Sequence, residues 1–370
     1  MRNPDQRTVF AGVDARSEAP LPEWYAQYHQ ARDPVTFAKA IRRLPSATDA
    51  KVAFYNPFVD DWVETERFSA VVEPTRLREA DEDPLFHIPT DRYTIINPLE
   101  AYGPLEAVLR EETYDEVPLG DLVFGEVREY RRGGEVHLDL LFDEFAVDLP
   151  THGEAITMGL ASGYDFFGSH AVYAEGIARD GVCANSIRAL TDRETVRHVG
   201  ETGTFSEWWL ARLEALELLV DELHMAIEAA QAVVVDFTQV DYDLEGFFAL
   251  LGFPDYLATH AAGDALANAT DPLRIDGWTL HSGATYALTH HFTGREGAAF
   301  DAYVRAANDL LFNPSVAVEE VEIAAKTVAA DGEAPTAARV AIERAEPSLA
   351  EKAGQFRSRE ATLEAWLAPE

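Results

Sequence analysis

The sequence predicts an α+β protein, with a mainly antiparallel sheet in the middle of the chain and a helical C-terminal half. Three observations carry this. Residues 120–142 alternate apolar and polar side chains on both sides of Arg131-Arg132-Gly133-Gly134, the pattern of a two-stranded hairpin. From Phe205 to about Val234, Trp209, Leu213, Leu216, Val220, Leu223 and Ile227 recur at spacings of three and four, the stripe of an amphipathic helix. The 370 residues are 47% hydrophobic, enough for a buried core and against global disorder.

The elements are taken in chain order. Residues 1–85 read as an irregular lead packed on the core, broken by Pro4, Pro20, Pro22, Pro34, Pro45, Pro57, Pro74 and Pro84 yet rich in aromatics such as Trp24, Tyr25, Tyr28, Phe54, Tyr55, Phe58 and Trp62. Ala38 to Leu44 fits a short helix. Residues 86–200 read as the sheet domain. Tyr93 to Ile96 suits a strand entering Asn97-Pro98, and Leu99 to Glu111 has helical spacing, with Leu105, Val108 and Leu109 inward. After the hairpin, Phe145 to Leu149 suits a third strand, and Thr157 to Tyr164 and Ala171 to Arg179 two more. Residues 201–315 read as a helical region packed on the sheet, with helices over 243–251, 255–267, 279–290 and 296–311. Residues 316–370 read as an acidic, Ala/Glu-rich helical tail.

Charge is the strongest compositional signal. Sixty-five Asp and Glu face 30 Lys and Arg, a formal net charge of −35. Only Lys39, Lys51, Lys326 and Lys352 are lysines. Such a surface repels itself at low ionic strength, and at molar salt the Debye length of about 3 Å removes that penalty. Carboxylates over lysines, with arginine retained, read as adaptation to a concentrated cytoplasm. The acidity is then a property suited to the solvent and does not exclude nucleic acid. No apolar run reaches a membrane-span length, the opening MRNPDQRTVF lacks the order of a secretory signal, and Cys183 has no internal disulfide partner. A cytoplasmic protein is expected.

The densest polar and glycine cluster spans residues 162–198. Asp165, Ser169, His170, Arg179, Cys183, Asn185 and His198 supply donors and acceptors there, and the neighbouring glycines allow close backbone approach. Local turn chemistry explains the same residues equally simply. A Cys–His nucleophile built from Cys183 with His170 or His198 has the right residue types, but Gly181-Val182-Cys183-Ala184 also suits a small buried side chain. His137 and Asp139 share one side of a strand, yet no HExxH or Cys/His spacing marks a metal site, and none is expected. No dinucleotide or phosphate-loop motif points to a cofactor. Arg128, Tyr130, Arg131 and Arg132 place cations and a ring around the hairpin turn, the chemistry of single-strand nucleic-acid contacts; the alternative is ion pairing with Glu126, Glu129 and Glu135.

The stretches Ser162-Gly163-Tyr164-Asp165-Phe166-Phe167-Gly168-Ser169, Gly181-Val182-Cys183-Ala184-Asn185-Ser186 and Arg197-His198, with Asn97-Pro98-Leu99-Glu100 upstream and Trp278 to His290 downstream, resemble the phage- and plasmid-related domain of unknown function 932. The likeness spans roughly 90–310. Tyr164 stands where members commonly carry histidine, Gly168 is displaced from its usual place after Asp165, and Ser186 replaces a usual threonine. The chain is thus similar to a divergent, salt-adapted, haloarchaeal-like member. The resemblance implies a mobile-element setting, not a reaction. Three functions stand as expectations: a non-enzymatic DNA-maintenance or single-stranded-DNA-binding protein; a structural or assembly protein of a phage or plasmid system, self-associating through helical segments; and a hydrolase-like enzyme with a pocket around Asp165, His170, Cys183 and His198.

Overall fold

Alternation along the middle of the chain draws it into a curled antiparallel sheet, and amphipathic helices fill the C-terminal half. The computed structural model describes residues 5–13, 34–79, 83–110, 113–114, 117–118, 122–147, 156–168, 171–180, 185–198, 204–293 and 298–331. Two units divide the chain.

The sheet unit comprises Asn3–Cys183 and Arg188–Val220. Its elements run β1 (Gln6–Phe10), α1 (Phe37–Ile41), β2 (Thr48–Asn56), β3 (Asp61–Val72), α2 (Pro74–Glu79), β4 (Leu85–His87), α3 (Pro98–Leu109), the short pair β5 (Thr113–Tyr114) and β6 (Val117–Pro118), then β7 (Leu122–Tyr130), β8 (Glu135–Val147), β9 (Ile156–Asp165) and β10 (Val172–Asp180). After β11 (Ser186–Ile187), which belongs to the other unit, come β12 (Glu194–Val196) and the long helix α4 (Phe205–Ala232). The main sheet has the order β1-β7-β8-β9-β10, with β12 also on β10, all antiparallel.

Residues paired across strands share a face. One face carries Val136, Leu138, Leu140 and Phe142 of β8 with Met158, Leu160 and Tyr164 of β9, all buried. Helices α3 and α4 cover it. Tyr102 of α3 is fully buried, its hydroxyl 2.9 Å from Ser162 Oγ, and its ring lies 5.5 Å from Trp209 of α4. The indole Nε1 of Trp209 donates to the Ala101 carbonyl at 2.7 Å. The opposite face of the sheet is charged.

Three expectations are corrected here. The lead is not irregular throughout: β2 and β3 form a long hairpin, with β4 at its base. Tyr93 to Ile96 is not a strand; it is held by Thr94, whose N–H donates to the His198 carbonyl at 2.6 Å. The segments 135–142 and 145–149 are not two strands, because β8 continues through a register shift between Leu141 and Ala146. At that irregularity a Cβ on Gly159 would lie 1.8 Å from the Leu140 carbonyl oxygen, so only glycine fits.

The helical unit takes Met1–Arg2, Ala184–Ile187 and Asp221–Glu370. The division therefore falls within α4 and does not match the expected boundaries at 200 and 315. The unit contains the strand pair β13 (Val234–Asp236) and β14 (Arg274–Asp276), with α5 (Leu244–Leu250), α6 (Asp255–Asn268), α7 (Gly277–Tyr286), α8 (Ala298–Phe312) and α9 (Pro314–Asp331). Phe237, Tyr242, Phe247, Leu257, Leu280 and Leu310 form part of its core. Asp243 caps α5 and Asp276 caps α7, each accepting a backbone N–H three residues on. At the end of α7, Ala287–His291 widen into a π-helical turn. The expected tail begins as α9, and the remainder of it, residues 332–370, lies outside the described residues.

His281 of α7 is 1% exposed, stacks on Trp278 at 5.3 Å, and neither ring nitrogen has a hydrogen-bond partner among the described residues. Burial pushes its pKa down to about 3. The unfolded chain binds this proton below about 6.5, whereas the folded protein resists it until about 3. Stability is therefore lost as pH falls through that window, by up to about 1.4 kcal/mol per pH unit from this group. In chemical denaturation against pH, His281→Leu is expected to remove that contribution to the slope.

Candidate functional site

The charged face of the curled sheet is built on a strand of small residues. Gly159, Ala161 and Gly163 of β9 alternate on this face, between β8 and β10. Their missing bulk lets long side chains of β10 lie across β9 and reach β8. A Cβ on Gly163 would meet the Tyr173 ring at 2.6 Å. The Tyr173 hydroxyl passes over it to His137 Nδ1 at 2.7 Å. Arg179 likewise reaches Asp139, donating from Nη2 at 2.9 Å.

Two chains of polar contacts result. The first alternates in charge: Arg7, Glu126, Arg128, Asp139 and Arg179. Arg128 donates through Nη1 to Glu126 Oε2 at 3.1 Å and to Asp139 Oδ2, and through Nη2 to Asp139 Oδ1 at 3.0 Å. Glu126, Arg128, Asp139 and Arg179 are all buried. Burial by itself would push the Asp139 carboxyl up; the guanidiniums of Arg128 and Arg179 override it and hold the group well below the usual carboxylate range. Burial, then the charges of Arg128 and Arg179, lower Arg7 to about 10. The second chain runs Glu135–His137–Tyr173. Beside it, Arg193 lies 4.8 Å over the Tyr173 ring and clamps Glu175 with bonds of 2.8 and 3.0 Å.

Of the residues expected in one polar cluster, Asp165 and His198 meet, and Arg179 lies apart from them. Asp165 ends β9, opposite Glu135, and its side chain accepts from Phe167 N–H at 2.7 Å in a local turn. Arg179 pairs with Thr157, eight residues away along β9 and so roughly 26 Å at the strand rise. His198 stacks on Tyr93 at 4.2 Å, with Nδ1 3.0 Å from the Thr94 carbonyl and Nε2 2.8 Å from the Asp165 carbonyl. It ties the 93–97 segment to the end of β9. Asn185 belongs to the helical unit, its Nδ2 3.5 Å from Ser282 Oγ. Ser169, His170 and Cys183 lie outside the described residues. Of this candidate cluster, strand geometry separates Asp165 from Arg179 along β9.

The hairpin cations also divide. Arg128 is 5% exposed and committed to the ion chain, so its reading as a nucleic-acid contact is corrected. Arg131 and Arg132 are exposed; Arg131 lies 3.3 Å over the Phe167 ring, and Arg132 donates its N–H to Asp5 at 2.8 Å. Tyr130 is half-buried against His137. No group of three or more His, Cys, Asp or Glu among the described residues is placed to hold a metal ion.

The feature missed in sequence is the distal part of the β2–β3 hairpin. The register shifts between Lys51 and Val52, so Val52–Asn56 with Asp61–Thr65 extend as a two-stranded ribbon. Tyr55 and Trp62 pair across it at 5.8 Å, Phe54 opposes Val63 on the other face, and Phe58 sits in the turn. Asn56 fixes that turn by accepting from the Phe58 N–H at 3.0 Å, and Asp60 takes a positive φ of 54°. Phe54, Tyr55, Phe58 and Trp62 are 54, 48, 95 and 66% exposed. Large rings this exposed on a folded surface call for an explanation.

Comparison with known proteins finds no matching family, curated protein or solved structure. No helix among the described residues is long and apolar enough to cross a membrane.

Removing Asp139 leaves two buried guanidiniums without their shared carboxylate. Asp139→Ala is expected to cost about 3–5 kcal/mol in urea unfolding. Replacing Arg128, Asp139 and Arg179 together by apolar residues of similar volume is expected to cost far less, and the comparison separates pairing from packing.

Proposed function

We propose that this chain is a structural or assembly protein acting through protein–protein contact, in the mobile-element setting that the family resemblance implies. The observation that carries the reading is the solvent exposure of Phe54, Tyr55, Phe58 and Trp62 on a two-stranded ribbon. An isolated two-stranded hairpin is at best marginally stable in water, and exposing four large rings adds an aggregation hazard. Contact with a partner removes both costs.

The charge of the ribbon favours protein over nucleic acid. Five carboxylates (Asp49, Asp60, Asp61, Glu64 and Glu66) and two cations (Lys51 and Arg67) lie between residues 48 and 68. Aromatic stacking on a single strand normally works beside a positive groove that tracks the phosphates. With Arg128 buried, the hairpin turn at 131–134 presents fewer cations than the sequence promised.

The test is fluorescence anisotropy with labelled single- and double-stranded oligonucleotides across a KCl series. The reading expects no saturable binding of either at any salt. Binding that weakens linearly in log salt, the signature of phosphate neutralisation, would instead support the DNA-maintenance alternative.

A further inference from the structure

We infer that the occupant of the aromatic ribbon is a second copy of this chain. The inference rests on the protein-contact reading above and names the partner. Three observations carry it.

The first is the state of the ribbon's charges. Of its five carboxylates, Asp60 accepts from the Tyr55 hydroxyl, Asp61 accepts from the Trp62 N–H at 2.8 Å, and Glu64 pairs with Lys51 at 2.7 Å. These three carboxylates are held against the ribbon's own groups, so the outermost surface of the tip is apolar. What the tip presents is Phe58 and Val59, with Trp62 and Tyr55 on one face and Phe54 and Val63 on the other.

The second is area. A large aromatic side chain buries about 150–250 Å² when fully covered. Scaled by their exposures, the rings of one face and the tip, Tyr55, Trp62 and Phe58, offer on the order of 400 Å² of uncovered surface. Val59 adds to this at the tip, giving a contact of the smaller, weak and reversible class. A two-fold contact uses the same patch twice, so one ribbon per copy supplies both halves.

The third is the backbone. The sheet order is β2-β3-β4, so β2 is an edge strand, and among the described residues its outer side pairs with no other strand. Along Thr48–Asn56 it presents N–H and C=O groups that template a further strand. The only cation in β2 is Lys51, already turned to Glu64. The edge is therefore only lightly guarded against pairing.

The chain's net charge of −35 sets the sign of the salt response. Two such copies repel at low ionic strength, and molar salt shortens the Debye length to about 3 Å and removes that repulsion. Self-association therefore tightens with salt, opposite to phosphate-driven binding.

The experiment is sedimentation equilibrium of the full chain in KCl from about 0.5 M to about 3 M. The variants are Phe58→Ser/Trp62→Ser, whose side chains touch no core, and Leu218→Ser, an exposed apolar residue on α4, as a control. The expected result is a monomer–dimer equilibrium that tightens with salt by roughly tenfold or more. The ribbon variant should weaken it by about 100-fold with an unchanged melting temperature measured by circular dichroism, and the control should not. A wild-type chain that stays monomeric throughout overturns the inference, as does a dimer that the ribbon variant preserves. If the ribbon variant melts early, Phe58→Ser alone decides, because that side chain lies at the tip of the turn. Either failure leaves the oligonucleotide titration free to decide the broader reading, which falls only if nucleic acid binds.

Discussion

The sheet depends on a strand that gives up its own side chains. Gly159, Ala161 and Gly163 leave the charged face of β9 nearly flat, and β10 reaches over it to clasp β8. Without that gap, Arg179 could not share Asp139 with Arg128, and the Tyr173 hydroxyl could not reach His137. Hydrogen bonds along strands fix nearest neighbours only; these side chains join second neighbours. The apolar face, closed by Tyr102 and Trp209, supplies the burial. The charged face supplies a further layer of specificity, because a shift of register would leave a buried charge facing nothing.

The sequence makes some of this visible, and the reasons are physical. The β7–β8 hairpin and the stripe of α4 are readable because each has one dry and one wet side, and alternation or helical spacing reports that contrast. The distal β2–β3 ribbon has no dry side, so its aromatics obey no such pattern and Pro57 in its turn reads as a break in the lead. Tyr93 to Ile96 has strand-forming residues, yet its bonds go to His198. Local preference is present there and a pairing strand is not.

The candidate site is legible as composition and illegible as geometry. The glycines at 159 and 163 do mark close approach, but what approaches is the protein itself: the backbone of Leu140 and Leu141 at the first, the Val136 carbonyl and the Tyr173 ring at the second. Arg128 reads in sequence as one half of an ion pair or as a phosphate contact; its burial decides for the former. Glu126 and Arg128 two apart on one strand, with Asp139 opposite Glu126 on the next, form a readable signature of charges sharing a face. It is obscured because 65 acidic residues make any single pairing cheap by chance.

The alternating order of Arg7, Glu126, Arg128, Asp139 and Arg179 also shapes how this chain can change over generations. Each inner member neutralises two others, so losing one strands its neighbours in a medium that cannot solvate them. Replacing the set at once is tolerable, while every single-step route to that replacement passes through a poorly folded intermediate. Sequence drift is therefore blocked at these positions even if none of them touches a ligand. Relatives of this chain would carry the set whole or lack it whole, and its invariance among them would testify to folding history before it testified to a task.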